Sequence, residues 1–192
     1  MKVILLLWAV AAHAQEGSQK LSMAEMMERA KKFTQPGEAH KLLERFVGDW
    51  RTETSFVMGG KVGKAQIGEQ RCGWLMKGRW IECRVQGPLM GKPSESYTVI
   101  GYDNFKQSYR VMMVSSIDTA MNVSEGDMDP GGKALLTYGT IDEYLTGEHD
   151  KMVKYVWRFE GPDAYSMEVH DLPIGEKNTQ VVSVKYTRKA SQ

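Results

Sequence analysis

Histidines, a pair of cysteines and a band of charges on strand-like segments are the residues here with chemistry to offer. His40 lies at the edge of an apolar stripe beside Leu43 and Val47. It reads either as a hydrogen-bonded histidine holding a helix to the floor of the fold or as a metal or haem ligand. His149, in Gly147-Glu148-His149-Asp150, falls in a solvated turn, and His170 alternates with Ser166 and Glu168 against Met167, which turns it outward. These settings have no zinc spacing, so no metal site is expected. Glu69, Arg71, Glu82, Arg84 and Arg110 each fall opposite the clearest apolar residues of their segments. They form either a solvated outer face or, in a different register, an inward patch able to hold a carboxylate head group. The chain has no G-x-S-x-G, H-E-x-x-H, phosphate loop or dinucleotide fingerprint, so no catalytic residue is assigned and nothing marks an enzyme.

The only two cysteines, Cys72 and Cys83, flank Gly-Trp-Leu-Met-Lys-Gly-Arg-Trp-Ile-Glu. Lys77-Gly78 reads as a two-residue hairpin turn with the glycine supplying a positive φ. That turn sets position 74 opposite 81 and Cys72 opposite Cys83, on one face. A three-residue bulged loop would separate them. The pair is therefore either a structural disulfide or two buried thiols; no C-x-x-C spacing activates either sulfur.

The elements that position these residues are set by periodicity. Lys2 and the apolar run over residues 3–12, ending in Ala12-His13-Ala14, have the form of a secretory signal peptide. Cleavage is expected between Ala14 and Gln15, giving a periplasmic or secreted protein. The mature chain would carry 24 basic and 24 acidic residues, which excludes the basic footprint of a nucleic-acid binder. No later apolar run is long enough for a membrane helix. The 13 methionines are scattered, as core filler rather than a copper cluster.

Residues 15–47 read as a helical segment packing on the strands of the remaining chain. Ser22-Met23-Ala24-Glu25 is a capping box, Pro36-Gly37 is a break, and a second short helix precedes Gly48. From Asp49 the period becomes two. Ten short strands separated by Gly, Pro and Asn turns run to residue 189 and describe an antiparallel meander, which hides its edges best by closing. The expected fold is mainly β: a single antiparallel up-and-down barrel of roughly ten strands over residues 48–192, with two short N-terminal helices.

Gly48-Asp49-Trp50, where a helix feeds the first strand, resembles the opening signature of the calycin barrels, which include lipocalins and fatty-acid-binding proteins. The resemblance implies that Trp50 plugs the closed end and that a basic side chain of a late strand, here Arg188, covers its ring. Further motifs come in order: Pro36-Gly37-Glu38-Ala39-His40, Gly68-Glu69-x-Arg71, Gly78-Arg79-Trp80, Gly91-x-Pro93, Gly101-Tyr102-Asp103-Asn104, Ser124-Glu125-Gly126, Thr146-Gly147 and Tyr186-Thr187-Arg188-Lys189. Together they resemble a bacterial family, Domain of Unknown Function fifteen-seventy-nine, from about residue 22 to 189. That resemblance implies a single calycin-like barrel, often secreted, and no agreed activity. Ile117 departs from the pattern, in which an aromatic more often precedes the aspartate.

The functional expectation is a binding module that holds a small apolar or amphipathic molecule among Phe56, Trp74, Tyr97 and Trp157. One alternative is a haem-binding or enzymatic barrel using His40 or His170; otherwise no cofactor is expected. The other is an interaction protein whose barrel is filled. The oligomeric state is not legible.

Overall fold

A computed structural model describes residues 21–143, 146–173 and 179–190. The expected leader, residues 1–14, and its cleavage point lie outside the described residues. Ser22 caps helix α1 (Met23–Thr34): its Oγ accepts the Glu25 amide at 3.2 Å, while the Glu25 carboxylate accepts the Ser22 amide at 2.8 Å. This helix stands in a compact unit of its own ending at Gln35; the second unit begins at Pro36.

That second unit opens with a single helical turn, α2 (Glu38–Lys41), which tightens into a 3-10 turn over Leu42–Arg45. The expectation of two helices is thus corrected. Only α1 has helical length, because Gly48 ends the second apolar stripe after barely two turns. The His40 Nδ1 caps α2 by accepting the Gly37 amide at 3.0 Å.

Eleven strands follow among the described residues: β1 (Gly48–Met58), β2 (Lys61–Val62), β3 (Gln66–Met76), β4 (Trp80–Leu89), β5 (Lys92–Asp103), β6 (Ser108–Ser115), β7 (Met121–Met128), β8 (Ala134–Glu143), β9 (Glu148–Phe159), β10 (Ala164–Asp171) and β11 (Thr179–Arg188). Each of β3 to β11 pairs antiparallel with its sequence neighbour, and β3 pairs with β1. The barrel closes where β11 meets β1, from Trp50 opposite Arg188 to Phe56 opposite Val182. Ten strands form the closed meander. The extra strand is β2, a two-residue ladder against the end of β1 at Val57 and Met58.

One local expectation fails. The hairpin between β3 and β4 has a three-residue loop, with the Arg79 amide donating to the Met76 carbonyl at 2.9 Å and Gly78 at φ +73°. An irregularity between Trp74 and Met76 absorbs the extra residue, so Trp74 still faces Ile81 and Cys72 still faces Cys83. The Cα atoms of the two cysteines are 4.0 Å apart, as in the closer class of cross-strand pairs, and the disulfide is formed.

The core concentrates at the closed end of the barrel. Leu43, Phe46 and Trp50 are fully buried there. The Phe46 ring meets those of Phe159 and Tyr165 edge-on at 5.1 and 5.4 Å. Tyr165 also stacks on Tyr186, with centroids 4.1 Å apart. This aromatic floor is locked to the 3-10 turn by the Trp50 indole N–H, which donates to the Phe46 carbonyl at 2.8 Å. No described helix is long and apolar enough to cross a membrane.

Candidate functional site

Beyond the aromatic floor the barrel is hollow. A cavity of about 270 Å³ runs from Phe46 to the loop at Ile117 and Asp118. The interior is therefore not filled, which corrects the picture of a solid barrel.

Its wall has two characters. On β9, β10 and β11, Tyr155, Trp157, Met167, Val169, Val182 and Val184 present aromatic and aliphatic surface, continued onto β1 by Phe56. Alternation dictates this: from Val153 to Phe159, from Tyr165 to Val169 and from Val182 to Tyr186 every second residue is apolar and shares the inner face. On β5 and β7 the same alternation brings Ser94, Ser96, Thr98, Asn122 and Ser124 inward, and β1 and β3 add Thr52, Thr54, Gln66 and Gln70. Cys83 and Val85 on β4, and Val111 and Met113 on β6, lie among these polar groups.

The deep polar groups are satisfied within the wall. Gln70 Nε2 donates to the Tyr165 hydroxyl at 2.5 Å, and the Ser124 and Thr137 hydroxyls share a hydrogen bond of 2.9 Å. Burial pushes the Tyr155 phenol up to about 12 and holds Tyr165 and Tyr186 well above the ordinary range. All three stay protonated at neutral pH.

Two of the four aromatics expected around a ligand, Phe56 and Trp157, line the cavity. Trp74 shares the inward phase of β3 but lies past Cys72, where β1 begins, and packs half-buried against the core cluster. Tyr97 is one residue out of phase with Ser96 and Thr98. Its hydroxyl donates to the Glu82 carboxylate, and it is not part of the cavity wall. The reason is that β5 carries hydroxyls inward, so the rule that aromatics point in is reversed there. Sequence reasoning missed the polar half of the wall for the same reason. The alternation in Ser94-Glu95-Ser96-Tyr97-Thr98 was the available signal.

Neither candidate histidine reaches the cavity. His40 is buried under α2, its ring edge-on to Tyr102 at 5.6 Å. Its pKa is lowered by burial and then by the charge of Arg79, against backbone hydrogen bonds at Tyr102 and Gly37. His170 bonds Glu168 at 3.0 Å on the outer face of β10. Neither His40 nor His170 is on the described wall, so neither offers an imidazole to a haem held in the cavity. No group of three or more His, Cys, Asp or Glu side chains among the described residues is arranged to hold a metal ion. The strand charges singled out in the sequence also face outward. Arg71 pairs with Asp49 at 2.8 Å, Arg84 with Glu95 and Arg110 with Glu125, so these three arginines form no inward patch for a carboxylate.

Gly48, Trp50 and Arg188 form one unit at the closed end. The Arg188 guanidinium carbon lies 4.1 Å from the centre of the Trp50 ring. Its Nη1 donates to the Val47 carbonyl at 2.9 Å, and Nε and Nη2 donate to the Pro162 carbonyl at 3.1 and 3.0 Å.

Comparison with solved structures shows the same fold. The S-type phycobiliprotein lyase CPES from Guillardia theta is similar with a TM-score of 0.56 and 13% identity, over 84% of this chain and 97% of that one. Rv2717c from M. tuberculosis is similar with a TM-score of 0.57 and 12% identity, over 81% of this chain and all of its own. No curated protein matches the sequence. The family described as "Protein of unknown function (DUF1579)" matches residues 35–188, and the chain belongs to that family.

Proposed function

We propose that this protein is an exported barrel that binds a small amphipathic molecule in its interior. The observation that carries the reading is the hollow of about 270 Å³ walled by Phe56, Tyr155 and Trp157 on one side and by hydroxyl and amide side chains on the other. Its volume is near the lower edge of the roughly 300–1,000 Å³ usual for small-molecule sites. Desolvation of the apolar face supplies affinity at about 25 cal/mol per Å², and the polar face sets orientation. The similar fold of a phycobiliprotein lyase agrees with a barrel of this type handling a small molecule.

Export is supported by two independent features. The sequence opens with a leader-like segment, and the Cys72–Cys83 disulfide belongs to an oxidising compartment.

Native mass spectrometry of the protein expressed with its leader and recovered from the periplasm tests both parts. A polypeptide starting at Gln15 with an added mass that disappears on denaturation is the expected result. Protein retained in the cytoplasm with its leader intact would overturn export. A bare mass, together with no uptake across a panel of apolar and amphipathic probes, would overturn ligand binding.

A further inference from the structure

The cavity wall of this barrel carries almost no charge. The arginines of β3, β4 and β6 point outward and meet carboxylates there. Lys151 and Asp171 share the inward phase of β9 and β10, beyond Val153 and Val169, but they pair with each other at 2.8 Å and are not part of the cavity wall. Among the described residues no lysine, arginine or histidine lines the cavity. Among the described residues the one carboxylate on the wall is Asp118, next to Ile117, whose Oδ1 accepts the Ala120 amide at 3.2 Å.

An anionic ligand held against this wall would shed water without a counter-charge on the wall, and the nearby inward Lys151 is already neutralised by Asp171. It would also pass a carboxylate of its own sign. The cavity tyrosines offer neutral phenols rather than charges, and burial raises their pKa further above the ordinary value. An uncharged ligand suffers none of these penalties. Thr54, Ser96, Thr98 and Asn122 offer hydroxyl and amide groups that both donate and accept, and the facing wall offers aromatic and branched aliphatic surface.

Building on the binding reading, we propose that the cavity selects uncharged amphipathic molecules: a compact aromatic or alicyclic body with hydroxyl, amide or carbonyl groups along one edge. Carboxylates of the same shape are discriminated against.

The test is calorimetric titration of the whole mature protein at neutral pH with matched pairs of carboxamide and carboxylate on phenyl, naphthyl and cyclohexyl bodies. The expected result is that the carboxamide of a pair binds at least about tenfold more tightly than its carboxylate. A carboxylate that binds as well as its amide would overturn charge selection while leaving the cavity as a binding site. Failure of every pair would count against the binding reading itself, and charge selection would fall with it. A gain-of-charge variant supplies the second arm. Ser96→Lys, checked for fold by circular dichroism, places an ammonium on the wall. It should raise carboxylate affinity by about tenfold and so narrow or reverse the preference for the carboxamide. A folded Ser96→Lys protein with no gain for the carboxylate would also overturn the proposal.

Discussion

Arg188 stands directly opposite Trp50 across the seam that closes the barrel, with its guanidinium over the indole and three of its N–H groups on the Val47 and Pro162 carbonyls. One side chain thus ties the last strand, the plug of the closed end, the residue before β1 and the loop before β10. Removing it leaves those carbonyls unpaired and the indole face bare. Arg188→Ala is expected to destabilise the protein by about 2–4 kcal/mol, from the cation–π contact and the charged hydrogen bonds together. Arg188→Lys should recover only part of the loss, since an ammonium cannot span both carbonyls in one plane. Urea unfolding followed by tryptophan fluorescence measures both. An alanine variant within the error of wild type would show that the seam closes without this clamp.

The same clamp explains the glycine of G-x-W. Gly48 has φ +138°, and a Cβ built there would sit 2.2 Å from Arg188 Nη1. Alanine would meet backbone strain and would also push the guanidinium off the Val47 carbonyl. Gly48→Ala should cost about 1–3 kcal/mol. In a double-mutant cycle with Arg188→Ala the two losses should fall short of additive, because part of the glycine's effect acts through the arginine. Strict additivity would show that backbone strain alone accounts for Gly48.

The Cys72–Cys83 disulfide closes a short loop around the β3–β4 hairpin, whose sequence separation is 11 residues. Chain entropy assigns such a loop about 2–3 kcal/mol. The Cys72→Ser, Cys83→Ser double variant is expected to fold with stability lowered by that order, and the oxidised wild-type mass should be lighter than the reduced one by two hydrogens. Equal unfolding midpoints with and without reductant would show that cross-strand packing already fixes the hairpin.

Much of this architecture was legible because strand period and turn residues agree. The meander and the closure follow from alternation bounded by Gly, Pro and Asn, whereas the cysteines face each other only because the irregularity in β3 offsets the longer hairpin loop. Some of the motif glycines have steric reasons visible only in three dimensions. A Cβ on Gly101 would lie 2.1 Å from the Trp80 ring, so Gly78-Arg79-Trp80 and Gly101-Tyr102 are two halves of one cross-strand contact. The site was legible only by half. On β9 to β11 the inner face is apolar, and hydrophobic alternation identifies it. On β5 the inner face is Ser94, Ser96 and Thr98, while Tyr97 and Val99 share the opposite phase, so hydrophobicity alone inverts the strand. The three-residue hairpin loop was also hidden, since its effect is cancelled by an irregularity one residue inside β3.

His40 makes stability depend on pH with a definite sign. Its folded pKa lies below the ordinary 6.5, through burial and the Arg79 charge, so the unfolded chain takes up the proton first. The stabilisation is fully present above about pH 6.5 and is lost as pH falls through the lower folded value. Unfolding midpoints measured from about pH 7.5 down to about pH 5 should therefore fall more steeply for wild type than for His40→Gln, whose side chain does not titrate. Parallel slopes would show that the imidazole accommodates its charge, for instance by releasing the Gly37 amide.

The cavity itself can be tested by filling it. Val182 lies opposite Phe56 across the seam, and both line the hollow, so an indole at 182 would project into space that a ligand needs. Overpacking a full core costs about 1–3 kcal/mol, whereas filling a real cavity costs less or stabilises. Val182→Trp is expected to keep the unfolding midpoint within about 1 kcal/mol of wild type while lowering the affinity for any carried ligand or neutral probe by at least about tenfold. The two readouts separate the alternatives. A strongly destabilised variant would mean that the hollow collapses in solution and the barrel is packed solid, in which case its outer surface becomes the place to look for function. A stable variant with undiminished binding would move the ligand out of the barrel. Only retained stability with lost binding agrees with a preformed cavity that holds the ligand between Phe56 and the hydroxyl-lined wall.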